Sequence, residues 1–152
     1  MKADILGCGP SLHEYRLRKD SIILGANRAI LYYDIDVLII WDKNTFDDIN
    51  QRILEIRPLI YTTKKGCLEI EGSFLLPLKS GFDFRKDMTD GLWYIHSSGF
   101  LAAQLAVLQG FNDLAIWGID FGIHKTYDRH IEIWDLFTKQ CTERKIKIRI
   151  NA

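Results

Sequence analysis

The stretch that decides the fold is Ala3-Asp4-Ile5-Leu6-Gly7-Cys8-Gly9-Pro10-Ser11-Leu12, which lies at the start of the chain. Its first four residues form a short, mainly apolar run that a glycine closes. Pro10 is suited to the first turn of a helix, because the N–H that proline lacks would have no partner there. The pattern therefore predicts a β-strand, a glycine-rich loop and a helix, in that order.

The glycine-rich loop is suited to hold a phosphate. Glycines let the backbone approach a ligand closely, and the following helix would present unpaired N–H groups and the positive end of its dipole. The dinucleotide fingerprint G-x-G-x-x-G fails because Leu12 holds its third glycine position, and Asn27 stands where an acidic residue is expected. The Walker pattern also fails, since no Gly-Lys-Ser/Thr follows. The loop favours a nucleotide other than NAD, with a tight turn that binds no ligand as the alternative.

Apolar runs and helical periodicity alternate along the rest of the chain. Further strands are predicted at 21–24, 36–41, 59–62, 92–95, 114–117 and 146–150. Helices are predicted at 28–33, from 44 to Pro58, at 100–108 and from about 131. This alternation predicts an α/β fold with a Rossmann-like, doubly wound and mostly parallel sheet, in a single domain that spans residues 1–152.

Local signals refine parts of this assignment. The near-continuous apolar run at 36–41 indicates a strand that is covered on both faces. Thr45 and Asp48 resemble a capping box at the start of the next helix, and Gly110 is suited to end the buried helix at 100–108. The segment 64–90 is interrupted by glycines and a proline, so a hairpin, a lid and an irregular loop or insert all stay open.

The composition excludes several classes of partner. Lys plus Arg number 20 and Asp plus Glu number 20, so no net field attracts a polyanion and we expect no nucleic-acid partner. Neither a signal peptide nor an apolar stretch near the ~20 residues of a membrane span is seen, which predicts a cytoplasmic protein with no membrane span. The widely spaced Cys8, Cys67 and Cys141 predict free thiols. A homo-oligomer stays open.

Polar and glycine residues follow most of the predicted strands. Ligands of open parallel sheets bind outside the carboxyl ends of the strands, near the point where strand order reverses. The candidate ligand-binding residues at this edge are Gly7, Cys8, Gly9, Pro10, Ser11, Asn27, Asp42, Ser97, Ser98, Gly99 and Asp120. Helix capping by the Ser97 block and a turn at Asp120 are the simpler alternatives, but their joint placement favours a site.

Histidines are the candidates for acid–base chemistry. His130 opens the last predicted helix and His124 lies in the polar loop before it, while His13 and His96 are weaker candidates. Histidine titrates near neutral pH and can serve as a general base, although a solvated surface histidine is the alternative for each. No residue spacing is typical of a metal site, so we expect no tightly bound metal.

Three blocks of the sequence together resemble a known set of proteins. They are the loop Gly7 to Leu12, Asn27, and the region from Ser97-Ser98-Gly99 through Gly110-Phe111 to Gly118-Ile119-Asp120-Phe121. The blocks are similar to bacterial sialyltransferases of the Campylobacter type. They are equally similar to the wider set of sialyltransferase-like and MAF/DUF115-type proteins, which includes archaeal hydroxymethylpterin pyrophosphokinases. The resemblance covers both ends of the chain and not its middle.

The resemblance implies a Rossmann-like domain that binds a nucleotide-sugar donor of the CMP type without a metal ion, and a hydroxyl acceptor. It implies that His130 removes the acceptor proton. Asp42 would take the place of an asparagine after the third strand. The residues that would contact the nucleotide are Gly7, Gly9, Pro10, Ser11, Asn27, Ser98 and Gly99.

The chain also departs from the sialyltransferase pattern. Cys8 replaces an asparagine, Gly122 stands where a phosphate-binding tyrosine is usual, with Tyr127 nearby, and an arginine before the serine block is missing. Three hypotheses follow. The first is a metal-independent glycosyltransferase, the second is ATP- and Mg²⁺-dependent pyrophosphoryl transfer to a pterin-like alcohol with Asp42 and Asp120 near the metal, and the third is a nucleotide-binding protein without catalysis.

Overall fold

The computed structural model describes residues 1–63, 70–81, 83, 85–93, 95, 97–119 and 128–150. The strands in these ranges are β1 (Lys2–Leu6), β2 (Ser21–Ala26), β3 (Val37–Ile39), β4 (Leu59–Thr62), β5 (Phe74–Leu75), β6 (Leu78–Lys79), β7 (Leu92–Trp93), β8 (Asp113–Trp117) and β9 (Lys147–Ile150). The α-helices are α1 (Lys43–Ile56), α2 (Ser98–Leu108) and α3 (Asp128–Glu143). Two short 3-10 helices span Pro10–Glu14 and Asn27–Leu31, where the sequence predicted helices.

Seven of the described strands form one parallel sheet in the order β5-β4-β3-β2-β1-β8-β9. The chain builds outward from β1 to β5 and later adds β8 and β9 on the other side of β1. Strand order therefore reverses between β1 and β8, where Leu6 lies beside Trp117. This order confirms the predicted Rossmann-like α/β fold.

Alternating side chains bury both faces of the sheet. In β3, Val37 and Ile39 pack with α2 and α3, whereas Leu38 and the adjacent Ile40 pack with α1 and the two 3-10 helices. A strand covered on both faces has no polar side to present to water, which explains its continuous apolar run. Helices on both faces make the sheet doubly wound.

Helix α2 is buried along most of its length. It contacts β1, β2, β3 and β8 on one side, and the ring of Phe100 meets the rings of Trp134 and Phe137 of α3 at centroid distances of 4.8 and 5.1 Å. Gln104 is fully buried in this apolar helix because its amide is satisfied: Oε1 accepts from Trp93 N at 3.1 Å and Nε2 donates to Met88 O at 3.1 Å. None of the described helices is both long and apolar enough to cross a membrane.

Of the two helix ends that the sequence predicted, the end of α2 is confirmed and the start of α1 is wrong. After α2, Gly110 has φ 85° and donates to Val107 O at 3.0 Å, while Phe111 N donates to Ala106 O at 3.0 Å. This is a Schellman motif, which confirms the ending at Gly110. The capping box at Thr45 and Asp48 is wrong, because both residues lie inside α1 and the cap precedes them.

Residues 70–93, where described, contain three two-residue strands joined by turns and coil. β5 extends the main sheet, but β6 and β7 pair with each other in a separate two-stranded sheet, so the strand predicted at 92–95 is not part of the main sheet. Gln140 of α3 fastens this region, since its Oε1 accepts from Met88 N at 2.8 Å and its Nε2 donates to Lys86 O at 2.9 Å. Residues 64–69 lie outside the described ranges.

A buried carboxylate anchors β1 to its surroundings. Asp4 is fully buried and accepts from Arg18 Nε at 2.5 Å, Tyr15 Oη at 2.9 Å and Ser21 Oγ at 2.8 Å. Arg18 also donates to Asp113 at the start of β8, at 2.7 Å. The partial burial of Asp113 acts to raise the pKa of its carboxyl, but the hydrogen bond from Arg18 and the positive charges of Arg18, Arg149 and Lys147 together outweigh this effect and lower that pKa.

Arg18→Met should lower the free energy of unfolding by about 3 kcal/mol, because it leaves the buried Asp4 carboxylate without its cation. Denaturant unfolding monitored by tryptophan fluorescence measures the change. Arg85→Met is the matched control, since Arg85 pairs with Asp83 at the surface with its side chain 90% exposed, and no resolvable change is expected there. Equal losses in the two variants would contradict a special role for the buried pair.

Candidate functional site

The candidate site lies where strand order reverses. The loop that begins at Gly7 follows β1, and the loop that begins at Gly118 follows β8, its neighbour in the sheet. Both loops leave the sheet at the carboxyl ends of these strands. This edge is where open α/β sheets bind their ligands.

The two loops are held together by backbone hydrogen bonds. Gly7 N donates to Trp117 O at 2.8 Å and Gly9 N donates to Gly118 O at 2.8 Å. In return, Gly118 N donates to the hydroxyl oxygen of Ser11 at 2.9 Å. The loop that was predicted to cradle a phosphate therefore uses two of its N–H groups and one hydroxyl to fix its own position.

The glycines at this crossing are required by packing. A β-carbon at Gly7 would overlap the carbonyl oxygen of Gly118, and one at Gly99 would overlap the Cδ1 of Ile119. Gly118 itself has φ 67°, a left-handed conformation that favours glycine. Internal contacts thus account for Gly7 and Gly99 without a ligand, and their predicted contact with a nucleotide stays a prediction.

Asn27 joins three of the predicted site loops. Its Nδ2 donates to the Ser98 hydroxyl at 3.2 Å, and its Oδ1 accepts from Trp41 N at 3.4 Å, just after β3. Its φ of 51° lies in the left-handed region, which asparagine tolerates better than most residues. The residue predicted to contact the nucleotide therefore also holds the start of α2 against β2 and β3.

The serine block begins α2. The Ser97 hydroxyl accepts from Phe100 N at 3.2 Å and is the N-cap, which bears out the capping alternative for this residue. Ser98 is buried and faces Asn27. The first N–H groups of α2 thus start beside Asn27, and no carbonyl of the helix can accept from them.

Asp42 caps α1. Its carboxylate accepts from Thr45 N at 2.8 Å and from Thr45 Oγ1 at 2.9 Å. Asp48, the other half of the predicted capping box, pairs instead with Arg28. The structure therefore gives Asp42 a structural role, and its contact with a ligand stays a prediction.

Cys8 is exposed beside Pro10 in the loop, and its thiol donates to Ala26 O at 3.1 Å. Although the side chain reaches the surface, the desolvation of the sulfur by neighbouring protein atoms raises the pKa of the thiol, and the N–H groups of Arg28 and Ala29 only partly offset this. The group is thus a neutral thiol at pH 7, in keeping with its role as a hydrogen-bond donor to Ala26 O.

His130 lies in the first turn of α3 and is partly buried. It precedes Trp134 by one helical turn, so the two side chains share a side of the helix. The indole of Trp134 contacts Phe100, two residues after Ser98. This places His130 on the side of α3 that faces α2, while Asp120, His124 and Tyr127 lie outside the described residues.

Sequence reasoning did not find two contacts of the site. These are the side chain of Ile119 between Gly7 and Gly99, and the hydrogen bond from Trp41 N to Asn27. Gly118, directly after a strand, is a signal of close backbone approach. The sequence alone does not reveal which segment it approaches.

A parallel sheet that is wound on both faces, with its polar loops meeting at the reversal of strand order, defines the Rossmann-like class of α/β domains. No protein family and no curated protein matches the chain. Solved structures do match it, and they assign the fold more narrowly.

The fold is similar to that of the sialyltransferase CstII from Campylobacter jejuni. The complex of that enzyme with the substrate analogue CMP-3FNeuAc matches with a TM-score of 0.61 and 16% identity, over 98% of this chain and 79% of the enzyme chain. The complex with cytidine-5′-monophosphate matches with a TM-score of 0.61 and 20% identity, over 98% of this chain and 78% of the enzyme chain. A mutant of this alpha-2,3/8-sialyltransferase matches with a TM-score of 0.63 and 20% identity, over 99% of this chain and 81% of the enzyme chain. The chain therefore shares its fold with this enzyme, and the Rossmann-like domain that the sequence resemblance implied is confirmed.

The overlap at Gly99 predicts a measurable coupling. Gly99→Ala should be tolerated better in an Ile119→Val background, because valine lacks the Cδ1 that the new methyl group meets; we expect a favourable coupling of about 1 kcal/mol. Denaturant unfolding of the two single variants and the double variant measures it.

Gly7→Ala is the control for this cycle. The main obstacle at Gly7 is the backbone carbonyl of Gly118, so the Gly7→Ala variant should stay strongly destabilised when Ile119→Val is added. If Ile119→Val rescued both glycine variants alike, or neither, the packing arrangement described here would be wrong.

Asn27→Gly should lower the free energy of unfolding by about 1 kcal/mol, because the lost side-chain hydrogen bonds outweigh the relief of the left-handed backbone. The comparison is Lys145→Gly, at an exposed residue with φ 62°, where relief of the backbone should leave stability unchanged or raise it. Thermal and denaturant unfolding measure both variants. A gain in stability for Asn27→Gly would show that its side-chain hydrogen bonds contribute less than the relief of the left-handed backbone.

Proposed function

We propose that this protein binds a CMP-type nucleotide-sugar donor at the edge between β1 and β8 and transfers the sugar to a hydroxyl acceptor. The observation that carries the proposal is the meeting, at the reversal of strand order, of the β1 loop, Asn27 and the start of α2. Two of the CstII structures of the same fold contain CMP or the substrate analogue CMP-3FNeuAc, which supports a cytidine nucleotide as the ligand.

The nucleotide phosphate would lie against the N-terminus of α2. That helix begins at Ser98, is 11 residues long and directs to this edge the positive end of its dipole and its first N–H groups, apart from that of Phe100, which Ser97 caps. The hydroxyl of Ser98 and the amide of Asn27 lie beside these groups. Together they would stabilise the negative charge that develops on the departing phosphate.

His130 would serve as the general base. In a direct displacement, the acceptor oxygen bonds to the anomeric carbon as the bond from that carbon to the phosphate oxygen breaks, and His130 takes the acceptor proton. The bonding pair leaves with CMP. Inversion at the anomeric carbon follows from attack on the face opposite the phosphate.

The proposal does not require a metal ion, because helix N–H groups and side-chain donors would hold the phosphate. Pyrophosphoryl transfer, the second hypothesis, would use the carboxylate of Asp42 near a metal. That carboxylate accepts two hydrogen bonds from Thr45 and would have to leave the cap of α1. The two hypotheses differ in their need for Mg²⁺, which makes them separable in solution.

CMP should stabilise the protein in the presence of EDTA. At a concentration of a hundred times its Kd, a ligand adds about 2.7 kcal/mol to the free energy of unfolding. A thermal-shift series with CMP, UMP, GMP and ATP, each with EDTA or with Mg²⁺, measures the effect, and calorimetry gives the Kd. Stabilisation by ATP with Mg²⁺ alone would favour pyrophosphoryl transfer, and a series without any shift would contradict the nucleotide site.

His130→Asn should leave the CMP affinity unchanged and lower the transfer rate by about 10²- to 10⁴-fold, the usual contribution of a general base. His13→Asn is the matched control, because His13 is exposed and stacks edge-on against Tyr32 at 5.9 Å, apart from the proposed chemistry. Transfer is measured as CMP released from CMP-sialic acid in the presence of a panel of sugar acceptors that carry free hydroxyl groups. Full activity in His130→Asn would refute this role, and CMP binding without transfer by the wild type would favour the binding-protein hypothesis.

A further inference from the structure

We propose that Ile119 is a positioning residue that sets the distance between the β1 loop and the N-terminus of α2, and thereby the affinity for the nucleotide phosphate. The inference rests on the proposed function, since it concerns the geometry of the same site. It assigns a role to an apolar side chain that carries no polar group to contact a ligand.

The side chain of Ile119 lies between two glycines of different elements. Its Cδ1 is 2.6 Å from the point where a β-carbon of Gly7 would lie, and it overlaps the corresponding point at Gly99. Because neither glycine has a side chain, Ile119 is in van der Waals contact with both backbones. It is partly buried and packs against the core on the α2 side of the sheet.

The backbone next to Ile119 is held by the β1 loop. Gly118, its neighbour, donates to Ser11 Oγ at 2.9 Å and accepts from Gly9 N at 2.8 Å. Ile119 is therefore fixed to the loop through its backbone and touches α2 through the tip of its side chain. Ile119 is therefore a spacer between the two elements: a shift of the loop would move its side chain, and the side chain would displace the start of the helix.

The size of this spacer matters because, under the proposed function, the phosphate lies at the N-terminus of α2, in the space between that helix and the β1 loop. Hydrogen bonds from N–H groups to oxygen require donor–acceptor distances of 2.7–3.2 Å. If α2 moves relative to the loop by the width of a methyl group, the space between them changes, and a phosphate held there lies out of range of the N–H groups of the helix. A displacement of about 1 Å in a site is enough to cost orders of magnitude in function.

The test compares two Ile→Val variants that delete the same methyl group. Ile119→Val removes the Cδ1 that touches Gly99, whereas Ile133→Val removes one from the same core, on α3, away from the loop. Calorimetry gives the Kd for CMP, and denaturant unfolding gives the stability. We expect the affinity for CMP to fall by roughly tenfold in Ile119→Val and to stay unchanged in Ile133→Val, with similar losses of stability in both.

A double variant restores the spacing by another route. Gly99→Ala places a methyl group where Cδ1 lay, so the Gly99→Ala/Ile119→Val double variant should recover the CMP affinity that Ile119→Val loses. Ile119→Leu keeps the side-chain volume, so it provides a test if the protein does not fold with the smaller valine. It should also weaken CMP binding, because the terminal methyl groups of leucine point in other directions.

The outcomes separate this inference from the proposed function. If the wild type binds CMP and Ile119→Val, Ile119→Leu and Ile133→Val all bind it equally well, the spacer role is overturned and the proposed function stands. Parallel losses of affinity in Ile119→Val and Ile133→Val would reduce Ile119 to an ordinary core residue. A wild type that binds no nucleotide overturns the proposed function and this inference together.

Discussion

The close approach of two backbones at Gly7 and Gly118 is the constraint on which the site depends. β1 and β8 are neighbours at the reversal of strand order, and their loops cross within hydrogen-bonding distance as they leave the sheet. A side chain at Gly7 would collide with a backbone carbonyl, which cannot move without breaking the ladder. Glycine at both positions lets the hydrogen bonds of the sheet continue one step beyond β1, and this fixes the loop before any ligand arrives.

Most of the fold could be predicted because its signals are local. The strand at 59–62 has the predicted bounds, and the helix predicted from about residue 131 is α3, which spans Asp128–Glu143. Pairing between strands is not local. β7 was predicted as a strand, but it pairs with β6 and not with the main sheet. A hydrophobic pattern shows that a segment is buried, but it does not show which strand lies beside it.

For the site, too, the sequence predicted where residues lie better than which contacts they make. The rule that ligands lie at the carboxyl ends of parallel strands brought Asn27 and Ser98 to one edge, and the structure joins them by a hydrogen bond. The cap of α1 was missed by three residues. Asp42 has the extended backbone of an N-cap, with φ −134°, whereas Thr45 already lies in the helix and can only donate to that cap. His130 as the base and the ligand contacts of the loop residues stay predictions.

The described loop leaves few side chains for a ligand. Gly7 and Gly9 use their N–H groups on β8 and Gly118, and Ser11 accepts from Gly118. Cys8, where the resembling proteins have an asparagine, offers a neutral thiol, a weaker donor than an amide. Under the proposed function, the phosphate would therefore depend mainly on backbone N–H groups at the start of α2. Backbone N–H groups cannot adjust to a ligand by changing rotamer. The affinity for the phosphate is therefore set by the distance between α2 and the loop.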